Sequence, residues 1–259
     1  MPMIDVAGAK LHHRLDGPAD APVVMLANSL GTALGMWDSQ VPALTRHFRV
    51  LRYDMRGHGA SSVPDEPFDI ERLGRDAVAL LDALELPRVH FCGLSLGGVV
   101  GMWLGAHAPD RLHKLVLCNT AATLGPRSLW NARIKAVARG GMAAIAGAVL
   151  DRWFSAGFSQ RDPAAVARLR QMLLTTRPEG YIRACAAVRD ADQRANVAEV
   201  RAPTLVITGA RDSATPPSEG HWLAARIAGA RYVKLPAAHL SNIEATALFN
   251  ERVLRFIAA

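Results

Sequence analysis

The chain alternates between short, continuous apolar runs and longer segments in which apolar residues recur at helical spacing. The short runs are rich in Val, Leu and Ile, a composition typical of parallel strands that are buried on both faces. They predict strands at residues 23–28, 48–54, 89–94, 115–119 and 204–209. A helix is predicted between the second and third strands, because residues 71–86 place their apolar side chains on one face. The alternation indicates an α/β fold with a mostly parallel sheet flanked by helices.

Two regions depart from this alternation. Residues 3–16 have the pattern of an antiparallel hairpin, which we expect at one edge of the sheet. From about residue 122 the strand patterns stop, and Arg, Ala, Trp and Met recur at helical spacing. We expect this insertion to cap the carboxyl edge of the sheet, where open α/β sheets bind their ligands. The predicted division is an α/β core of residues 1–121 and 197–259 and a helical cap of residues 122–196.

The charge balance is basic but does not change this picture. The net charge is +7, yet the arginines are scattered and form neither a basic run nor an aromatic-basic stripe. We therefore expect no nucleic-acid partner, and ordinary solubilising charge is the simplest explanation of the excess. A positive potential would also favour the approach of a small anionic substrate.

The N-terminal segment and the cysteines bear on cellular location. No apolar window reaches the ~18 residues of a membrane span, and the first residues lack the apolar core of a signal peptide. The three cysteines, Cys92, Cys118 and Cys185, have no metal-ligand spacing. We expect a cytoplasmic protein that has no membrane partner and binds no metal ion.

The strongest chemical motif is Gly93-Leu94-Ser95-Leu96-Gly97, which follows a predicted strand and opens an apolar helical run. A G-x-S-x-G sequence between a strand and a helix is the nucleophile elbow of the α/β-hydrolase fold. The helix N-terminus directs free N–H groups and its positive dipole end at the serine. The alternative is a glycine-rich turn with an incidental serine, but the flanking elements favour Ser95 as a nucleophile.

A nucleophilic serine needs a general base, and chain position narrows the choice among the nine histidines. His239 lies in the loop between a strand-like segment, residues 232–236, and the C-terminal helix. His58 lies in the loop that follows the strand predicted at residues 48–54. We predict that His239 is the base and that His58 shapes a loop beside the site. A surface histidine that caps the last helix is the other interpretation of His239.

The acid that orients the base should lie between the nucleophile and the base in the chain. Asp212 satisfies this order, since it follows the last predicted parallel strand directly. Its carboxylate would hold the imidazole of His239 and stabilise the imidazolium. A plain turn residue beside Pro216 is the alternative. Some relatives of this fold place the acid one strand earlier, but that position here is Asn119, which carries no charge.

Acyl transfer also requires hydrogen-bond donors for the oxyanion. The backbone N–H of Leu96, directly after the nucleophile, is one predicted donor. The other is the N–H of Leu30, in the loop after the first predicted parallel strand. Many hydrolases of this fold have His-Gly where this chain has Asn28-Ser29, a departure that keeps the backbone donors and points to a subfamily.

The chain resembles the 3-oxoadipate enol-lactonases, α/β-hydrolases of the β-ketoadipate pathway of aromatic catabolism. The resemblance covers nearly the whole chain and rests on NSLGTALGMWDSQ (28–40), VLRYDMRGHGAS (50–61), GLSLGG (93–98), LCNTAA (117–122), LWNARI (129–134), AAVRDAD (186–192) and AAHLSNIE (237–244). The NSLGT, W-N-x-R-I and AAVRDAD segments are the most specific. The family's nucleophile, acid and base fall on Ser95, Asp212 and His239, which are also the residues chosen from chain order, and a cap tryptophan of the family falls on Trp130.

The resemblance implies hydrolysis of 3-oxoadipate enol-lactone to 3-oxoadipate, with no metal or organic cofactor. Because this lactone carries a free carboxylate, the pocket should present a cation beside an apolar surface. Trp130 and Arg133 lie at positions i and i+3 of a predicted cap helix and can share one face. The ring would cover the lactone, and the guanidinium would bind the carboxylate. The alternatives are an anchoring tryptophan and a solvated arginine.

Two other functions use the same triad. One is a carboxylesterase or perhydrolase of broader specificity. The other is a ligand receptor built on the hydrolase fold, which would bind without turnover. The specific cap segments favour the enol-lactonase.

Overall fold

The core is a single twisted sheet, which has eight strands within residues 2–259, the part of the chain that the computed structural model describes. In chain order these strands are β1 (Met3–Val6), β2 (Ala9–Asp16), β3 (Val23–Ala27), β4 (Arg49–Tyr53), β5 (Val89–Leu94), β6 (Leu112–Cys118), β7 (Thr204–Gly209) and β8 (Arg231–Leu235). The spatial order is β1-β2-β4-β3-β5-β6-β7-β8. β1 and β2 run antiparallel to their neighbours, and the six strands β3 to β8 are parallel to one another.

The predicted strands are confirmed as β3 to β7, and the predicted edge hairpin is confirmed as β1 and β2. β6 begins at Leu112, three residues before the predicted start. The prediction began late because His113 and Lys114 interrupt the apolar pattern at the beginning of the strand. The strand-like segment before His239 is β8. Every residue of β3, β5 and β7 is buried, as expected for strands that are covered on both faces.

The helices flank the sheet and fill the long connection between β6 and β7. They are α1 (Val41–Leu44), α2 (Ile70–Ala83), α3 (Leu96–His107), α4 (Arg127–Gly140), α5 (Ala143–Trp153), α6 (Ala156–Arg161), α7 (Pro163–Thr175), α8 (Pro178–Asp190), α9 (Arg194–Glu199), α10 (Pro217–Ala224), α11 (Ser241–Glu244) and α12 (Thr246–Ile257). No helix between residues 2 and 259 combines the length and the apolar character that crossing a bilayer demands.

Helix α2 shows how the predicted amphipathic pattern is used. Asp69 caps its N-terminus by accepting a hydrogen bond from the N–H of Arg72 at 2.8 Å. Its buried face packs on α3, where Gly74 lets the ring of Trp103 approach so closely that a Cβ on Gly74 would lie 2.0 Å from it. The helix ends before Glu85, which has a left-handed φ of 54°.

The helical insertion between β6 and β7 consists of α4 to α9 within the described residues. α4 packs against both α5 and α8, and α5 packs against α7. α9 crosses residue 196, the predicted end of the cap, and packs against α3 of the core. The chain therefore returns to the core at α9, just before β7.

Candidate active site

Ser95 occupies the sharp turn between β5 and α3. Its backbone has φ 56° and ψ −113°, a conformation that is strained for a residue with a side chain. Two hydrogen bonds hold it there: the Ser95 N–H donates to the carbonyl of Cys118 at 2.9 Å, and the hydroxyl of Thr120 donates to the Ser95 carbonyl at 2.8 Å. The end of β6 and the loop that follows it therefore hold the backbone of the serine in place.

The glycines of the motif are required by close backbone approach. A Cβ on Gly93 would lie 2.1 Å from the carbonyl oxygen of Gly97, and a Cβ on Gly97 would lie 2.2 Å from the carbonyl oxygen of Ala27. Real contacts of this kind do not occur at such distances. A side chain at either position would push α3 away from β5 or from β3, and the turn would open.

Asp212 and His239 meet at the carboxyl edge of the sheet, after β7 and after β8. The Oδ2 atom of Asp212 lies 2.9 Å from Nδ1 of His239, and both residues are buried, with exposures of 4% each. Ser95 and His239 line the same cavity. The structure thus brings together the three residues that chain order selected. The carboxylate contacts Nδ1 of His239, which leaves the other ring nitrogen, Nε2, to accept a proton as a general base does.

The surroundings of Asp212 keep its carboxylate ionised. Burial favours the neutral acid, but the charge of His239 and hydrogen bonds from His239, Asn119 and Thr215 outweigh burial and lower the pKa of Asp212 to about 2. The N–H groups of Ala214 and Thr215 donate to Oδ1 at 2.8 and 3.0 Å. A carboxylate that accepts this many bonds can hold an imidazolium in one orientation.

Asn119 and Thr215 contact Asp212 in ways that the sequence did not show. The Nδ2 atom of Asn119 donates to Oδ2 of Asp212 at 2.9 Å, and its Oδ1 accepts from Ser241 at 2.6 Å. The hydroxyl of Thr215 donates to the same Oδ2 at 2.8 Å. Asn119 has a left-handed φ of 44°, which asparagine tolerates better than most residues. The amide of Asn119 therefore links the Asp212 carboxylate to the hydroxyl of Ser241.

The loop after β3 is held rigidly beside the elbow. The amide of Asn28 donates to the carbonyl of Tyr53 at 2.9 Å, and its Oδ1 accepts from the indole of Trp37 at 3.0 Å. Thr32 donates to the carbonyl of Ser29 at 2.7 Å. Asn28 thus stabilises the loop through its side chain, in addition to the backbone role that the sequence assigned to this segment.

Both predicted oxyanion donors lie at the cavity. Leu30 and Leu96 line it together with Ser95. The N–H of Gly97 already donates to the carbonyl of Asn28 at 2.9 Å. Within residues 2–259, by contrast, no protein acceptor pairs with the backbone N–H of Leu30 or Leu96. These two N–H groups can therefore donate to a bound oxyanion.

The cavity has a volume of about 320 Å³ and lies between the sheet edge and the helical insertion. The core contributes the elbow, the loop after β3 and the loops of Asp212 and His239. The insertion contributes mainly apolar and aromatic side chains together with two arginines: Leu124, Leu129, Trp130, Arg133, Val149, Arg152, Trp153, Tyr181 and Val188. An apolar cavity with a few convergent polar groups is the usual form of a small-molecule site.

Trp130 and Arg133 both line this cavity, as the predicted helical face requires. Trp130 is buried and donates its indole N–H to the carbonyl of Leu124. The guanidinium of Arg133 lies 4.8 Å from the centre of the Trp130 ring, within the range of a cation–π contact. The ring therefore both anchors α4 and supports the arginine.

Arg152 is a second cation in the cavity, and the sequence analysis missed it. Burial and the positive charge of Arg133 lower the pKa of Arg152, so the two guanidiniums are near enough to repel each other. Other cap arginines, Arg127 and Arg189, pair with Asp190. Among residues 2–259 no carboxylate forms an ion pair with Arg133 or Arg152. An anion bound between them would relieve that repulsion.

His58, the other candidate base, does not line the cavity. It is buried, its Nδ1 lies 3.3 Å from the carbonyl of Arg56, and burial lowers its pKa. Its loop is fixed by the buried ion pair of Arg56 and Asp76. Across residues 2–259, no group of three or more His, Cys, Asp or Glu side chains is arranged to hold a metal ion.

Comparison with known proteins defines the class of this molecule. The model of the alpha/beta hydrolase fold family matches residues 22–246. The chain therefore belongs to the α/β-hydrolase family.

Within this family the chain groups with the enol-lactonases, which confirms the resemblance found in the sequence. It is 40% identical to 3-oxoadipate enol-lactonase 2 of Acinetobacter baylyi over 243 residues, 94% of this chain and 91% of the relative. The crystal structure of the enol-lactonase from Burkholderia xenovorans has 46% identity and a TM-score of 0.98, with 100% of both chains covered. A hydrolase from Pseudomonas aeruginosa has 53% identity and a TM-score of 0.96, with 100% of this chain and 98% of that chain covered.

Proposed function

We propose that this chain is a serine hydrolase that opens 3-oxoadipate enol-lactone to 3-oxoadipate in the catabolism of aromatic compounds. The similarity to enol-lactonases supports this activity. In the structure, the main support for this activity is the cavity. Ser95 and His239 line it together with apolar side chains and with two arginines, which have no carboxylate partner among residues 2–259. This combination suits an ester group on a small molecule that also carries a carboxylate.

In the acylation step, the hydroxyl oxygen of Ser95 attacks the lactone carbonyl while Nε2 of His239 takes the hydroxyl proton. Asp212, held at Nδ1, stabilises the imidazolium that forms. The N–H groups of Leu30 and Leu96 donate to the tetrahedral oxyanion. Collapse of this intermediate breaks the ring C–O bond, and the leaving enol oxygen takes the proton from His239. An enol oxygen is a less basic and therefore easier leaving group than an ordinary alkoxide.

In the deacylation step, a water molecule gives a proton to Nε2 of His239 and attacks the acyl-enzyme carbonyl. The same two N–H groups hold the second oxyanion. The C–O bond to Ser95 then breaks, and the serine oxygen recovers its proton from His239. The released enol tautomerises to the ketone, so the product is 3-oxoadipate. These steps require no metal and no organic cofactor.

Arg133, supported by the ring of Trp130, is proposed to bind the substrate carboxylate, and Arg152 is proposed to share that role. The half-buried position of both arginines strengthens a charge-assisted contact relative to a solvated one. A cytoplasmic location and the absence of a nucleic-acid partner remain predictions from composition.

The assay that tests this function compares two lactones of the same ring. α-Angelica lactone carries a methyl group where 3-oxoadipate enol-lactone carries its carboxymethyl group, so only the charged arm differs. We expect kcat/KM to be ~30–1000-fold higher for 3-oxoadipate enol-lactone, the equivalent of about 2–4 kcal/mol for a charge-assisted contact. Equal values would favour a broader carboxylesterase, and binding without turnover would favour a receptor.

We also propose that residues 122–196 act as a cap that opens and closes over the cavity. These residues form helices and contribute no strand to the central sheet, and they supply one wall of the site. Backbone amides of α4 to α8 are expected to exchange with deuterium faster than those of β3, β5 and β7. Hydrogen exchange followed by mass spectrometry measures this difference, and equal protection in the two regions would contradict a separately mobile cap.

A further inference from the structure

Glu244 is a buried carboxylate that belongs neither to the proposed triad nor to the lining of the cavity. It ends α11, and its side chain is 1% exposed. A carboxylate removed from water to this degree is costly unless several donors compensate for the lost hydration. Its partners therefore show which parts of the molecule the carboxylate holds together.

Four hydrogen bonds converge on Glu244 from three separate segments. Oε1 accepts from the hydroxyl of Ser155 at 2.6 Å and from the guanidinium of Arg211 at 3.0 Å. Oε2 accepts from the N–H of Ser155 at 3.0 Å and from the N–H of Ala238 at 3.1 Å. Burial raises the pKa of Glu244, but these bonds outweigh burial and lower it, so the group is a charged acceptor.

Each segment carries a residue of the proposed site next to its contact with Glu244. Ala238 directly precedes His239, and Arg211 directly precedes Asp212. Ser155 follows the end of α5, where Arg152 and Trp153 line the cavity. A further bond reinforces this junction, because the N–H of Leu240 donates to the carbonyl of Trp153 at 3.0 Å. One carboxylate thus joins the acid loop, the base loop and the cap helix that carries Arg152.

We propose that Glu244 is a positioning residue that sets the distance from Arg152 to His239 and Asp212, so that a substrate carboxylate held by the cap arginines places its lactone carbonyl at Ser95. This inference rests on the proposed function. Charge-assisted bonds are short and directional, and a misplacement of about 1 Å between a bound group and the reacting centre can cost ~100-fold in rate. Glu244 acts only through the residues that it holds.

The test uses the ratio of kcat/KM for 3-oxoadipate enol-lactone to kcat/KM for α-angelica lactone. Glu244→Gln keeps the shape of the side chain but replaces one carboxylate oxygen with an NH₂ group. That NH₂ group would face the hydrogen-bond donors that now surround Glu244. We expect this variant to lower the ratio about 10-fold, because only the charged substrate depends on the position of Arg152. Glu251→Gln, the same change at an exposed glutamate of α12, should leave the ratio unchanged.

A double-mutant cycle shows whether Glu244 acts through Arg152. In an Arg152→Ala background, Glu244→Gln should lower the ratio by no more than about 2-fold further, because the contact that it positions is already lost. An unchanged ratio in Glu244→Gln, equal losses for both lactones, or additive effects in the cycle would each overturn the proposal.

A second variant and the activity of the wild-type protein allow the role of Glu244 to be tested even if Glu244→Gln is unstable. If Glu244→Gln does not fold, Ser155→Ala removes the hydroxyl bond from the cap to Glu244 but keeps the backbone bond, and it should lower the ratio about 3-fold. An unchanged ratio would again overturn the proposal. Ser155 also caps α6, so Asp162→Ala, which removes the cap of α7, serves as its control. If the wild-type chain does not turn over the enol-lactone, the proposed function fails; if it does and the ratio in the variant is unchanged, the role of Glu244 alone fails.

Discussion

Replacement of Ser95 or His239 with alanine is expected to lower kcat for 3-oxoadipate enol-lactone by about 10⁴–10⁶-fold. Without the serine hydroxyl no acyl-enzyme forms, and without the imidazole no group takes its proton. Because the two side chains act in the same step, the double variant should be little slower than either single one. Steady-state rates from the loss of lactone absorbance, corrected for spontaneous hydrolysis, measure these effects.

Asp212→Asn should reduce kcat by up to ~10⁴-fold, because an amide at this position no longer fixes the tautomer or balances the imidazolium. Asp190→Asn is a matched control, since Asp190 is exposed and pairs with cap arginines outside the cavity. Near-wild-type turnover in Ser95→Ala would contradict the serine mechanism altogether. Multiplicative losses in the Ser95 and His239 double variant would show that the two residues act independently.

Outside the proposed triad, loss of the cap cations should have the largest effect. Arg133→Ala is expected to raise KM for the enol-lactone and to cost about 2–4 kcal/mol in kcat/KM, the scale of a lost charge-assisted contact. Arg152→Ala should act in the same direction, and the pair should be less than additive if both guanidiniums contact one carboxylate. Kinetics on both lactones separate this role from a structural one, since α-angelica lactone has no carboxylate to lose.

The control for these variants is Arg139→Ala, an exposed arginine of the same helix, α4, that does not line the cavity. It should leave both substrates unaffected. Equal losses for charged and uncharged lactones in Arg133→Ala would mean that the arginine supports the cap through its contact with Trp130. In that case the carboxylate of the substrate would be bound by a residue other than Arg133.

The sequence predicted the parts of the fold that depend on local pattern. The central strands are continuous apolar runs because both of their faces are buried, and the structure contains each of them. Ser95 could be predicted for a similar reason, because the elbow requires glycines at fixed spacing: a Cβ on Gly93 or Gly97 would lie 2.1 or 2.2 Å from a backbone oxygen. His239 and Asp212 followed from chain order and loop position, which the fold restricts.

The contacts that surround the triad could not be predicted in the same way. The amide of Asn119 reaches Asp212 across 93 positions of the chain, and Glu244 reaches Ser155 across 89. Such pairs leave no periodic trace in a single sequence. Asn119 cannot carry the charge of an acid, but its amide is a hydrogen-bond donor to the Asp212 carboxylate. Arg152 was equally hidden, since an arginine on a cap helix is most often solvated and only the packing of α5 against the cavity distinguishes it.

The most direct test of the serine mechanism follows the formation of 3-oxoadipate by nuclear magnetic resonance. Parallel samples contain the purified wild-type protein or Ser95→Ala, each mixed with the enol-lactone. We expect complete conversion by the wild-type protein and, in the Ser95→Ala sample, conversion at a rate close to that of the lactone in buffer alone. Equal rates of product formation in the two protein samples, or no product above the buffer rate in either, would contradict this expectation.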